Sequence, residues 1–182
     1  MRRASCAVLL VCGLTVAGIL DANAQGGFTA KSARIGPVLG LGGIGNAGNS
    51  WGGRFEKGIK ELPSLGDGVL SFELSVDYYS FNNRFTGTTD YSFKYIPFSG
   101  TINYHINTKN DKFDAFVGAG LGYLSLSTTF VGVGSYSGSG VYFVGRLGGS
   151  YAIAKSLQLY ADVGAGAATL NAGVMFNLGK KK

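Results

Sequence analysis

Alternation of apolar and polar residues with a period of two runs through most of this chain, and a chain built that way folds into strands that present two different faces. From Val69 to Tyr79, Leu70, Phe72, Leu74, Val76 and Tyr78 share one face, opposite Ser71, Glu73, Ser75 and Asp77. Ile96, Phe98, Ile102, Tyr104 and Ile106 then oppose Ser99, Thr101, Asn103 and His105. After a polar turn at Asn107 to Lys112, Phe113, Ala115, Val117, Ala119, Leu121 and Tyr123 oppose Asp114, Gly118, Gly120 and Gly122. Val141, Phe143, Leu147, Tyr151 and Ile153 oppose Tyr142, Arg146 and Ser150. Lys155-Ser156 has the length of a two-residue hairpin. Beyond it Leu157, Leu159, Ala161 and Val163 face away from Gln158, Tyr160 and Asp162, and a last strand runs from about Thr169 to Leu178. Glycine dilutes the pattern near the N-terminus, where one strand fits Ala33 to Ile44. Another fits Trp51 to Lys60, with Phe55 and Ile59 opposite Arg54, Glu56 and Lys60, before a Pro63 to Gly68 turn. The total is eight strands, the even number that closes an antiparallel up-and-down β-barrel with both termini at one end.

Alternation does not say which face looks inward, because a soluble barrel shows the same stripe. Three observations decide for a membrane barrel. One face of most strands is free of charge over the length a tilted strand needs to cross the hydrocarbon. The charges, Arg34, Arg54, Glu56, Glu73, Asp77, Asp114, Arg146 and Asp162, all fall on the other face, with mixed signs that can pair in a lumen. Aromatic residues such as Tyr78, Tyr104, Tyr123, Tyr151 and Phe176 gather towards strand ends, where interfacial girdles sit. Composition agrees: charged residues make up 14% of the chain, against roughly 25% in soluble domains. Beyond the N-terminal leader no apolar run is long enough for a spanning helix, so strands must do the crossing.

The leader has the form of an export signal. Arg2 and Arg3 precede an apolar stretch from Ala7 to Leu20, and Ala22-Asn23-Ala24 is a small-x-small cleavage site. Residues 1–24 are therefore expected to be a cleaved signal peptide and residues 25–182 the barrel domain. Cys6 and Cys12 both lie in the leader, so the mature chain is expected to carry neither a thiol nor a lipid anchor. Without Arg2, Arg3 and Asp21 there remain 14 basic and 9 acidic residues, three of the basic ones in the Lys180-Lys181-Lys182 tail. With no basic cluster elsewhere, nucleic acid is not an expected partner.

The last strand ends in Asn171-x-Gly173-x-x-Phe176-x-Leu178, followed by a Gly179 to Lys182 extension. This ending resembles the terminal signal by which the barrel assembly machinery recognises its substrates. With the alternating strands and the export signal, the chain resembles the small outer-membrane β-barrel family that includes OmpX, the opacity proteins and the membrane domain of OmpA. Phe116 to Tyr123 is similar to a Gly-rich strand of that family, as is the Tyr104-His105 pair before a turn. The resemblance covers nearly all of residues 33–178. It implies a stand-alone monomeric barrel in the outer-membrane lipid, with the termini and the turns near Pro63, Asn107 and Lys155 in the periplasm. External loops would fall at about Ile44 to Ser50, Asn82 to Asp90, Thr128 to Ser139 and near Gly166. Loops this modest leave room for contact with an extracellular partner, for instance through Phe85 and Phe130, but not for a large adhesive surface.

The chemical candidates are few. His105 is the only histidine, which excludes histidine clusters for metals. A barrel hydrolase would need a nucleophile and a carboxylate beside it, with Thr101 and Asn103 on its face and Asp114 across the hairpin. The expected role is instead a structural lumen histidine. Gly40-x-Gly42-x-x-Gly45 has the letters of a dinucleotide fingerprint, but Asn46 to Gly53 reads as a loop rather than the helix that would bind pyrophosphate. No cofactor, metal or catalytic residue is expected. An eight-stranded lumen is just filled by side chains, so Arg34, Arg54 and Arg146 pairing with Glu56, Glu73, Asp77 and Asp162 would plug it. The reading is a non-enzymatic barrel with a structural or surface-contact role. Its rivals are a narrow porin-like channel and a soluble, lipocalin-like periplasmic ligand binder.

Overall fold

A computed structural model describes residues 27–43, 48–84, 90–130 and 134–178. The expected export signal at 1–24, Gly45, Phe85 and the Gly179 to Lys182 extension lie outside the described residues. The strands are β1 (Ala33–Leu41), β2 (Asn49–Leu62), β3 (Gly68–Arg84), β4 (Asp90–Ile106), β5 (Phe113–Phe130), β6 (Gly134–Ala154), β7 (Leu157–Ala165) and β8 (Leu170–Asn177). Each pairs antiparallel with its sequence neighbours, and β1 pairs with β8, so the sheet closes into a barrel. Closure satisfies every interior strand edge, the condition for crossing a medium that offers no hydrogen bonds.

The alternation becomes two surfaces. Ile35, Leu39, Leu74, Phe98, Val117, Leu121, Phe143, Leu147, Leu159 and Val163 point outward and are exposed. Arg34, Arg54, Glu56, Glu73, Asp77, His105, Asp114 and Asp162 point inward and are almost completely buried. A soluble lipocalin-like barrel has the opposite arrangement, so that rival is set aside. Glycine on the lumen side makes room: a Cβ at Gly148 would stand 2.7 Å from the Phe116 ring, and one at Gly118 would collide with the Asn103 side chain.

Several boundaries differ from the sequence reading. The expected loops at 82–90 and 128–139 are largely strand, because β3 pairs with β4 as far as Arg84↔Asp90 and β5 with β6 as far as Phe130↔Gly134. The Gly-Ser-rich run of β6 has no apolar stripe to announce it, yet it pairs residue by residue with β5. Much of 46–53 is also strand, since β2 begins at Asn49. Lys60, placed on the lumen face by simple alternation, is exposed and opposite Leu70, because the register shifts between Gly58 and Lys60. A bulge of this kind reverses the facing of every residue beyond it. Another shift lies between Ala152 and Ala154, beside Leu157, which is 6% exposed although its β8 partner Phe176 is on the outer wall.

Candidate functional site: a charged lumen below an inverted sheet

Two layers of polar side chains cross the lumen. In the layer nearer the termini, Arg34 on β1 lies 2.6 Å from Glu56 on β2 and 3.2 Å from Asp114 on β5. Its Nη1 also donates to Ser150 Oγ at 2.8 Å and Gln158 Oε1 at 2.9 Å. Glu56 Oε1 accepts from Ser71 Oγ at 2.5 Å and Asn103 Nδ2 at 2.9 Å. Seven of the eight strands thus contribute to one network. In the next layer, Arg54 Nη1 bonds Asp77 at 2.9 Å and its Nη2 donates to Asn171 Oδ1 at 3.1 Å. Arg146 pairs with Glu73 and reaches Ser75 and Ser99. Asn103 Nδ2, 3.5 Å from Glu73, joins the layers.

Asp162 departs from the pairing that charge alone suggests. Among the described residues no arginine binds it; Tyr160 Oη donates at 2.7 Å and Asn171 Nδ2 at 2.9 Å. Of the expected assembly residues, Asn171 is therefore a lumen residue bridging Arg54 and Asp162. Gly173 lies at the closing seam, where a Cβ would collide with the Pro37 carbonyl oxygen of β1. Phe176 and Leu178 are exposed on the outer wall, at 38% and 52%.

His105 sits at the terminal mouth with both ring nitrogens engaged. Nε2 is 3.0 Å from Ser71 Oγ and Nδ1 is 2.9 Å from Asp114 Oδ1, the order of a nucleophile, base and acid. The serine, not Thr101 or Asn103, is the residue that alternation failed to single out. Glu56 Oε1, however, takes the Ser71 hydroxyl and also stands 2.8 Å from Nε2. The hydroxyl is fully buried, and Phe28 of the segment before β1 stacks on the imidazole at 3.9 Å with Arg34 4.8 Å above its ring. The Ser71 hydroxyl thus donates its hydrogen bond to Glu56 rather than to the imidazole, unlike the nucleophile of a triad.

The other end of the lumen is closed by apolar groups. Tyr79 is fully buried and donates to the Ala167 carbonyl at 2.5 Å, with Ala168, Tyr95 and Tyr142 packed around it. Val38, Phe116, Tyr160 and Met175 form an apolar cluster among the polar side chains of the lumen, with the Phe116 ring 5.5 Å from His105. Of the fingerprint glycines, Gly40 lies in β1 and Gly42 begins the turn after it, at φ 70°, and the next element among the described residues is strand β2.

Above Tyr79 the two faces exchange character. In one row across the sheet, Val76, Phe98, Tyr123 and Val141 lie opposite one another and point outward. Two outward positions further along, Ser80, Lys94, Ser127 and Ser137 form the corresponding row, and all four are exposed. The inner row at this level holds Tyr79, Tyr95 and Leu126. An outer wall that turns from hydrocarbon-like to polar within two outward positions marks a water boundary, and the strands beyond it form a four-stranded sheet standing outside the apolar belt. The signal was present in the sequence as a change of phase: Leu121 and Tyr123 are odd-numbered, Leu124 and Leu126 even.

No known protein family and no curated protein sequence matches the chain. Solved structures similar to it include two of Ail, the attachment invasion locus protein of Yersinia pestis, one in complex with the heparin analogue sucrose octasulfate. Each is 15% identical, with a TM-score of 0.49, over 80% of this chain and 93% of that one. The closed strand order, the apolar belt and the charged lumen identify the chain as an eight-stranded membrane-spanning β-barrel of the bacterial outer-membrane type.

Proposed function

We propose that this barrel is a non-enzymatic, non-conducting monomer that acts at the cell surface through the sheet formed by the outer parts of β3 to β6. The observation that carries the reading is the pairing register. β2 reaches β3 only as far as Tyr78, and β7 reaches β6 only from Gly145, so Gly134 to Val144 has a partner strand on one side alone. An edge of this length with neither lysine nor proline suits addition of an extended polypeptide strand, whose main chain supplies the missing hydrogen bonds. Short turns at the end that carries the termini support placing that end in the periplasm and the sheet outside. The Asn171 to Leu178 ending is the segment offered to the assembly machinery on this reading, and the two charged layers serve as the plug.

The test compares cells producing the full chain with cells producing one in which residues 80–94 and 125–139 are each replaced by a short turn. Attachment to a surface coated with unfolded polypeptide should be lost in the shortened chain, with the heat-modifiable electrophoretic band retained; equal attachment would overturn the surface role. The channel reading is separated by planar-bilayer recording: no steady current is expected, and a current altered by Arg146→Met would establish conduction instead.

A further inference from the structure

The outer wall is not evenly ridged. Ile35, Phe55, Leu74, Gly100 and Leu121 lie opposite one another in one row, and Gly53, Val76, Phe98, Tyr123 and Val141 in the next. Between the rows runs an apolar groove of about 780 Å³ that crosses β1 to β6. Neighbouring strands lie about 4.8 Å apart, so six strands give a slot roughly 24 Å long. It follows the hydrogen-bond direction of tilted strands, so it runs obliquely through the belt. Gly53 and Gly100 deepen it, and nothing in the fold demands glycine at either position. A Cβ at Gly53 would find its nearest neighbour at 3.9 Å and one at Gly100 at 3.4 Å, ordinary contacts, unlike the collisions at lumen glycines such as Gly118.

We propose that this groove seats one acyl chain of a membrane lipid. The inference rests on the membrane-spanning reading, under which hydrocarbon is the phase in contact with this wall. A slot one residue row wide and walled by Leu, Phe, Val and Tyr side chains matches a linear alkyl chain. A second barrel would offer it only a convex wall.

The full processed chain would be refolded into phosphatidylethanolamine and phosphatidylglycerol vesicles containing a trace of phosphatidylethanolamine with a photoactivatable diazirine in one acyl chain. Label should concentrate on Leu74, Phe98, Leu121 and Tyr123 above the level on Leu159 and Val163 of β7, which are as exposed as Leu74 at 48%. Gly100→Phe should erase that excess and leave the heat-modifiable band unchanged; if this variant does not fold, Gly53→Leu takes its place. Uniform labelling around the barrel, or an excess that survives the filled groove, would overturn the proposal. Cross-links joining groove residues of two chains would overturn it as well, in favour of a second copy. Absence of the heat-modifiable band in the unsubstituted chain would instead refute the membrane reading beneath it.

Discussion

The sheet above the boundary continues four of the eight strands of the lower barrel, yet the two solve opposite problems. Below the boundary the outside faces hydrocarbon and the inside has no bulk water, so apolar residues go out and charges go in, where they survive only by pairing. Above it the outside faces water, Ser80, Lys94, Ser127 and Ser137 turn outward, and Tyr79, Tyr95 and Leu126 turn inward. Period-two alternation persists throughout; only its phase changes. The solvent, not the strand, sets which phase is stable.

The largest way to break this comparison is to leave a lumen charge unpaired. Arg34→Met removes the arginine shared by Glu56 and Asp114 and should cost about 3–5 kcal/mol, read from urea-dependent unfolding in vesicles. Removing a pair is expected to cost less than removing one partner, because no charge is then left without a counter-ion. Arg146→Met combined with Glu73→Leu should therefore be more stable than Arg146→Met alone.

The two outer surfaces can be compared directly. Leu121→Arg, in the belt, should cost about 2–4 kcal/mol in the same assay. Ser127→Arg, on the same strand and face but beyond the boundary, should stay within about 0.5 kcal/mol. Equal costs would erase the boundary drawn between these rows. The smallest expected effect is at the terminal mouth, where Phe28→Ala removes one ring stacked on His105 and should cost about 0.5–1.5 kcal/mol without changing the heat-modifiable band.

Much of this was legible before any coordinates. The faces of Leu70 to Tyr78, of Ile96 to Ile106 and of Phe113 to Tyr123 follow from alternation, because the strand period is a property of the backbone and no tertiary contact changes it. The same rule placed each of the eight lumen charges on the inward face. It failed at Lys60, beside a register shift that depends on how two strands meet. It also failed for the Gly-Ser run of β6, whose strand character comes from its β5 partner rather than from any apolar stripe.

By itself, then, the sequence determined the period, the number of strands and which residues share a face, all consequences of local backbone geometry. The tertiary structure alone decided which charge meets which: that Asp162 is held by Tyr160 and Asn171, that Glu56 takes the hydroxyl of Ser71 from His105, and that β6 outruns β7. Those outcomes depend on register and closure around the whole ring, where residues more than a hundred positions apart, such as Arg34 and Gln158, come within hydrogen-bond distance. No local preference encodes such a meeting.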